Sequence, residues 1–209
     1  MNFLLTLLLF FSNIFYDDFS SYSTTPCLAD GTTLGPWNVV WNGYGCVNVE
    51  NEAFYLVPQA ATNFGETHSA LVTGPSYCGS LNFSVDITTL EQTSLAKNPW
   101  EVGWVLWNFT DNAHFYYFIA KPNGWELGKV DPAYPGNQRF LRTGNYPKFP
   151  INKLYKITVN QFYNNITIYV NSTKITSFTD TERPYQNGRI SIYSEDSRCY
   201  YDNIKVLYD

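Results

Sequence analysis

Positive charge is scarce in this sequence and never clustered. The 209 residues hold 13 Lys and Arg against 18 Asp and Glu, a net charge of −5, and the cations form no run. Nucleic-acid binding rests on clustered cations that displace counterions, so that class is excluded, and so is a basic patch for an anionic membrane surface. Charged residues of either sign reach only 15%, against roughly 25% in an average soluble domain. That leaves little to cover long solvent-exposed helices. Histidine occurs twice, at His68 and His114. The four cysteines contain no C-x-x-C spacing, which argues against a zinc knuckle. No G-x-S-x-G string or Cys–His pairing is present, which argues against an acyl-transfer enzyme. Beyond the first eleven residues there is no long apolar run, so no membrane span is expected in the mature chain.

What the chain has in excess is aromatic surface: 17 Tyr, 15 Phe and 6 Trp, 18% of all residues. Such a sequence has ample material for a core and is not disordered. The opening MNFLLTLLLFF has the length of a signal-peptide core and is too short to span a bilayer. We expect a leader over residues 1–15 and one domain over residues 16–209; the alternative is that FSNIFYDDF contains a first strand. Secretion to the extracellular space or cell surface is consistent with four N-x-[ST] sequons, at Asn82, Asn108, Asn165 and Asn171. It is also consistent with an even cysteine count, Cys27, Cys46, Cys78 and Cys199. Three pairings are possible; the expected one is Cys27–Cys46 with Cys78–Cys199.

Short β-branched and aromatic runs alternate with Gly, Pro and Asn clusters throughout. Strands are expected at WNVVW, AFYLVPQ, SALVTG, LNFSVDITTL, WEVGWVLWNF, HFYYFIAK, WELGKV, YKITVNQ, ITIYVN, KITSFTD, RISIYSED and CYYDNIKVLYD. Roughly eleven or twelve strands without a convincing helix mean a two-sheet antiparallel sandwich or a barrel. The stretch from Asp131 to Pro150, with four Pro and two Gly, reads as the longest irregular segment, and long loops are often functional.

Several segments carry a resemblance. The chain has YDDF (Tyr16–Phe19) before a loop and a Trp-centred strand, and it closes on YYDNIKV (Tyr200–Val206). Its middle holds PWEVGWVLW (Pro99–Trp107), DNAHFYYF, KPNGWELGK and DPAYPGNQRFL, and DTERPY (Asp180–Tyr185) precedes a glycine and an aliphatic strand. These segments resemble the concanavalin A-like lectin/glucanase superfamily, including small secreted calcium-binding or hydrolase-like proteins. The resemblance covers nearly the whole chain after the leader. It implies an all-β jelly roll, and it leaves the activity open because the fold serves lectins, glycosidases, lyases and structural modules alike. It also implies a structural calcium where the first and last strands meet, with Asp202 as carboxylate ligand and Asp17 or Asp18 assisting; oxygen ligands suit that hard cation.

Sugar binding needs aromatic platforms for the apolar faces of saccharide rings and a few fixed polar groups. The candidates are Glu101, Trp107, His114, Tyr116, Lys121, Asn123, Trp125, Tyr134 and Arg139. Strand parity places Glu101 and Trp107 on one face, read as an open concave surface, and Trp104 and Leu106 on the other, read as core. Glycoside hydrolysis needs two carboxylates about 5–10 Å apart. Hydrolases that the chain resembles carry a Glu-x-Asp-x-x-Glu strand, which this sequence lacks, so Glu101, His114 and Glu126 stand only as catalytic candidates. A lyase would set His114 with Tyr116, Lys121 and Arg139. The cations Lys129, Arg139, Arg142 and Lys148, at and near the Asp131–Pro150 stretch, suggest attraction of an acidic polysaccharide. The leading expectation is a secreted carbohydrate-binding glycoprotein without catalysis. The alternatives are a polysaccharide lyase or glycoside hydrolase and a structural surface or particle-coat protein; the oligomeric state is left open.

Overall fold

Alternating apolar and polar residues form sixteen strands in this computed structural model, which describes residues 13–209. They lie in two eight-stranded sheets, and every pairing is antiparallel. The first sheet runs β14 (Thr173–Thr179), β13 (Asn165–Val170), β12 (Tyr155–Phe162), β7 (Leu81–Gln92), β16 (Ser197–Tyr208), β5 (Ala53–Val57) and β4 (Cys46–Glu50), with β1 (Asn13–Asp17) also paired to β16. The second runs β11 (Gln138–Gly144), β10 (Gly124–Val130), β9 (His114–Lys121), β8 (Gly103–Asp111), β15 (Asn187–Glu195), β6 (Ser69–Cys78), β3 (Trp37–Trp41) and β2 (Thr33–Leu34). A 3₁₀ turn at Pro135–Asn137 is the only helical segment among the described residues. The ends of the chain run side by side, with Asn13 opposite Tyr208. Most of the expected leader lies outside the described residues; Asn13, Ile14 and Phe15 belong to β1.

The stretch from Asp131 to Pro150 is less irregular than its sequence suggests. It contains β11, whose register comes from β10, with Arg139 opposite Lys129 and Phe140 opposite Gly128. A bulge between Leu127 and Gly128 breaks the alternation that would have announced the strand.

The main core draws on both sheets. Phe83, Val85, Ile157 and Val206 come from the first; Trp107, Phe118 and Ile192 come from the second. It therefore fills the space between the layers, where each fully buried large side chain contributes about 1.5–3 kcal/mol. A second cluster, of Leu71, Val102, Leu106, Phe109, Tyr117 and Ile119, draws on the second sheet and the segment entering β8 and lies on that sheet's outer face. The face assignment along β8 is thus the reverse of the sequence reading. Val105 and Trp107 point into the core, whereas Trp104 and Leu106 point out. Asn108, at φ 50°, shifts the alternation so that Phe109 joins the outer face. Glu101 precedes the strand, which begins at Gly103.

Of the two expected disulfides, Cys27–Cys46 is formed. Cys78 and Cys199 are free thiols, which corrects the second pairing. Cys78 ends β6 next to the Tyr77–Tyr208 ring contact, whereas Cys199 lies nine residues earlier than Tyr208 along β16. That length of strand is about 30 Å. The sequons also divide. Asn108 is buried, and its amide donates to Gln161 Oε1 at 3.0 Å and to the Tyr185 carbonyl at 2.8 Å, so it has no room for a glycan. Asn82 is half-buried and bonded to Asn160. Asn165 and Asn171 are exposed at the two ends of β13.

Candidate functional site

The outer face of the second sheet carries two adjoining clefts that share Trp104. One, of about 220 Å³, is lined by Trp41, Leu71, Trp104, Leu106, Phe109, Asn112, Phe115 and Tyr193. The other, of about 310 Å³, is lined by Trp100, Trp104, Glu126, Gln138, Phe140 and Glu195. Between Trp41 on β3 and Phe140 on β11 lie six strand spacings, about 29 Å.

Register explains the assembly. Glu126 pairs with Ile119, Ile119 with Trp104, and Trp104 with Tyr193, so these four form one row across β10, β9, β8 and β15. Trp104 packs against Tyr117 and Tyr193, each with ring centroids 5.1 Å away, and its indole N–H donates to the Trp100 carbonyl at 2.9 Å. Tyr117 is buried over Gly128, where a Cβ would collide with its ring. Its hydroxyl donates to Glu126 Oε1 at 2.8 Å and accepts from Gln138 Nε2 at 2.7 Å. Burial and the Glu126 charge push the Tyr117 phenol far above its ordinary range. Glu126 Oε2 also takes the Lys121 ammonium at 2.8 Å. Glu195 accepts from the Tyr193 hydroxyl at 2.7 Å. Burial raises its carboxyl pKa, and the Asp196 and Glu101 charges raise it further against the Tyr193 hydrogen bond. At the far end, the buried indole N–H of Trp41 has no acceptor among the described residues.

The expected site residues disperse around this surface. Trp107 is fully buried and donates to Gln161 Oε1 at 2.7 Å, because a core indole N–H needs an acceptor. Trp125 is buried and donates to the Tyr146 carbonyl. Glu101 is 2% exposed and clamps the loop before β8 through Ser94 and Asn98. Tyr116 is buried, and its hydroxyl donates to Asp180 at 2.5 Å. His114 pairs with Asp111 at 2.8 Å beside Tyr185 and lines neither cleft. Tyr134 and Arg139 both reach Glu182, and Asn123 is exposed in the β9–β10 turn. Lys121 and Glu126 alone fall at the site, the latter as a wall and the former as its counterion. The lyase set of His114, Tyr116, Lys121 and Arg139 is not assembled, since each has a different partner.

The cations expected near the candidate site lie away from both clefts. Lys129 is fully buried, with its ammonium on Asp180 and on the Glu182 and Arg183 carbonyls. Arg142 lines a groove at the β14 edge, and Lys148 lines neither cleft. Trp41, Trp104, Phe115, Gln138, Tyr193 and Glu195 line the clefts but are not among the residues that the sequence singles out for sugar binding. A signal existed in RISIYSED, where Ser191, Tyr193 and Glu195 alternate with Ile190, Ile192 and Ser194.

Glu126 and Glu195 are the two carboxylates on the cleft wall. They lie three strand spacings and two residues apart, about 16 Å at the backbone, and each is turned to its own neighbour. Hydrolysis holds its carboxyl groups about 5–10 Å apart, closer than the backbone positions of these two. The carboxylates expected to bind calcium are hydrogen-bonded to protein donors. Both oxygens of Asp17 are committed, to the Phe19 amide, the Tyr22 hydroxyl and the Trp37 indole. Asp18 holds Ser20, and Asp202 holds Asn203, which bridges to Asp86. Among the described residues, no group of three or more His, Cys, Asp or Glu is placed to hold a metal ion. No described helix is long and apolar enough to cross a membrane.

Two layers, jelly-roll connectivity and paired chain ends define a concanavalin A-like fold. The solved structures it is similar to agree. The carbohydrate-binding module CBM66 from Bacillus subtilis superposes with a TM-score of 0.63 at 14% identity, covering 86% of this chain and 99% of that one. A β-glucanase from Bacillus licheniformis gives 0.61 at 13% identity, with 94% and 98% covered. The exoplasmic/lumenal domain of VIP36, in a Ca2+/Man3GlcNAc-bound form, gives 0.58 at 11% identity, with 85% of each chain covered. No protein-family model matches the sequence, and no curated protein matches it.

Proposed function

We propose that the protein is a secreted carbohydrate-binding module whose ligand lies along the outer face of the second sheet. The observation that carries this reading is an aromatic surface outside the core: Trp41, Trp104 and Tyr193 line one cleft without being fully buried. Rings so placed present flat faces to the C–H faces of sugars, and a small number of polar groups then fixes orientation. Asn112, Gln138 and Glu126 are those groups. The names of two similar structures, a carbohydrate-binding module and a Man3GlcNAc-bound lumenal domain, support the same class. Secretion is supported by the apolar opening residues and the formed Cys27–Cys46 bridge. The Asp17, Asp18 and Asp202 carboxylates accept from protein donors and line neither cleft, so the ligand contacts proposed here do not involve calcium. The test is a glycan array followed by titration calorimetry of the full chain and its Trp104→Ala variant. Binding of at least one glycan, weakened roughly tenfold or more in the variant, is expected. Wild-type affinity in the variant, or an array without any bound glycan, overturns the reading.

A further inference from the structure

The two clefts differ in charge. The first offers one polar side chain, Asn112, among its apolar walls. The second places Glu126 and Glu195 around Trp100, Trp104 and Phe140. Glu126 is already matched by Lys121. Among the described residues Glu195 has no cationic partner; the neutral Tyr193 hydroxyl donates to it, and Asp196 and Glu101 bring further negative charge near it. Among the described residues, no Lys or Arg lines this cleft. Trp100 is 45% exposed and Phe140 59% exposed, so ring faces and a carboxylate border the same solvent-filled space.

We infer that the second cleft selects an amine-bearing saccharide, its ammonium group seated between the Trp100 and Trp104 rings and the Glu195 carboxylate. The inference rests on the carbohydrate-binding reading and narrows it. An aromatic face attracts a cation through its quadrupole, and a carboxylate in a low-dielectric wall attracts it further. A uronate or sulfated sugar meets like charge there. An N-acetylated sugar presents no charge to Glu195 and leaves that carboxylate partly desolvated without a counterion.

Titration calorimetry at about pH 6, where alkyl amines are protonated, compares three hexamers: hexaglucosamine, hexa-N-acetylglucosamine and hexagalacturonate. Hexaglucosamine is expected to bind roughly tenfold or more tighter than the acetylated hexamer, with no binding of the uronate. The preference narrows as salt rises. Glu195→Gln and, separately, Trp100→Ala lower the ratio of amine to acetamide affinity; thermal melts of both variants confirm that they are folded. Equal or tighter binding of the acetylated or uronate hexamer overturns the inference while leaving carbohydrate binding intact. So does a ratio unchanged in folded Glu195→Gln, or failure of all three hexamers when other glycans bind. A lysine hexapeptide that binds as tightly as hexaglucosamine overturns it in favour of a basic peptide. If no glycan of any charge binds, both this inference and the reading beneath it fall.

Discussion

The Trp104 indole stands edge-on to the Tyr193 ring, 5.1 Å between centroids, on the face of the sheet opposite Trp107. Three residues apart on one strand, the two tryptophans have separate jobs. Trp107 stacks on Tyr116 between the sheets and is fully buried. Trp107→Ala should cost about 3–5 kcal/mol of stability, with Gln161 left short of a donor. Trp104→Ala should cost about 1 kcal/mol and abolish most glycan affinity. Urea midpoints and calorimetry on the pair check this; the reverse pattern would put the binding surface back on the Trp107 face.

Why the sequence reading inverted those faces is a question of competing signals. Along WEVGWVLWNF both faces are apolar, Val102, Trp104 and Leu106 on one and Val105 and Trp107 on the other, so hydrophobicity cannot choose between them. The deciding facts are distant. Gln161, 53 residues beyond Asn108, accepts from both Asn108 and Trp107, and Gly103 leaves room for Tyr201 and Ile87 from the other sheet. The strands with one clear apolar stripe, such as LNFSVDITTL and YKITVNQ, were legible because period two alone fixes their inner face. The fold class followed from such strands; the Cys27–Cys46 bridge was one of three pairings that the even cysteine count left open. The site did not, because it is assembled by register across β10, β9, β8 and β15, which no local pattern encodes.

Lys129 is a second test of that long-range assembly. Its ammonium lies 2.8 Å from Asp180 and 2.7 Å from the carbonyls of Glu182 and Arg183, with the Tyr185 ring 4.5 Å away. This contact pins the DTERPY segment against β10. Lys129→Met leaves the buried Asp180 carboxylate without its cation and two carbonyls without their donor, and should cost about 3–5 kcal/mol. Combined with Asp180→Asn, the loss should fall short of additive by about 1–3 kcal/mol in a denaturant double-mutant cycle. Strict additivity would mean that the two side chains do not act on each other.

The two free thiols should differ sharply in reactivity. Cys78 is exposed; Cys199 is buried among Ser194, Ser197 and Thr89, and burial pushes its thiol pKa up. Only the thiolate reacts. A colorimetric thiol reagent should titrate one cysteine in the native protein and a second after denaturation without reductant. Two reactive thiols in the native state would contradict the burial of Cys199, and none after denaturation would restore the Cys78–Cys199 bridge.

Placement of the sequons sets a parallel expectation for expression through a secretory pathway. Asn165 and Asn171 are exposed on β13 and its following turn, next to edge strand β14. Glycans there would shield that edge from pairing with a second chain. Asn108 should carry none, because both its amide protons are committed inside the fold. Peptide mapping after enzymatic deglycosylation reads each site separately; an occupied Asn108 would mean that its strand is open when the glycan is attached.

Glu195 gives the pH dependence a definite sign. Burial, with the Asp196 and Glu101 charges, raises its folded-state pKa above the unfolded value, which is about 4.3. The folded state therefore binds the proton more tightly than the unfolded chain does. The resulting stability is fully present below about pH 4.3 and is lost as the pH rises through the folded pKa. Ionisation of this carboxylate is thus a net cost to folding. Glu195→Gln keeps an acceptor for the Tyr193 hydroxyl and removes the charge, so the variant should be more stable than the parent at about pH 7, with the gap closing near pH 4. Carboxylates with lowered pKa values, Asp18 and Glu182 among them, tilt the whole curve the other way. Because both proteins contain them, the difference between paired urea melts isolates Glu195. A variant less stable than the parent at pH 7 would show that the carboxylate has a favourable partner in the fold, and it would remove the unpaired charge on which amine recognition depends.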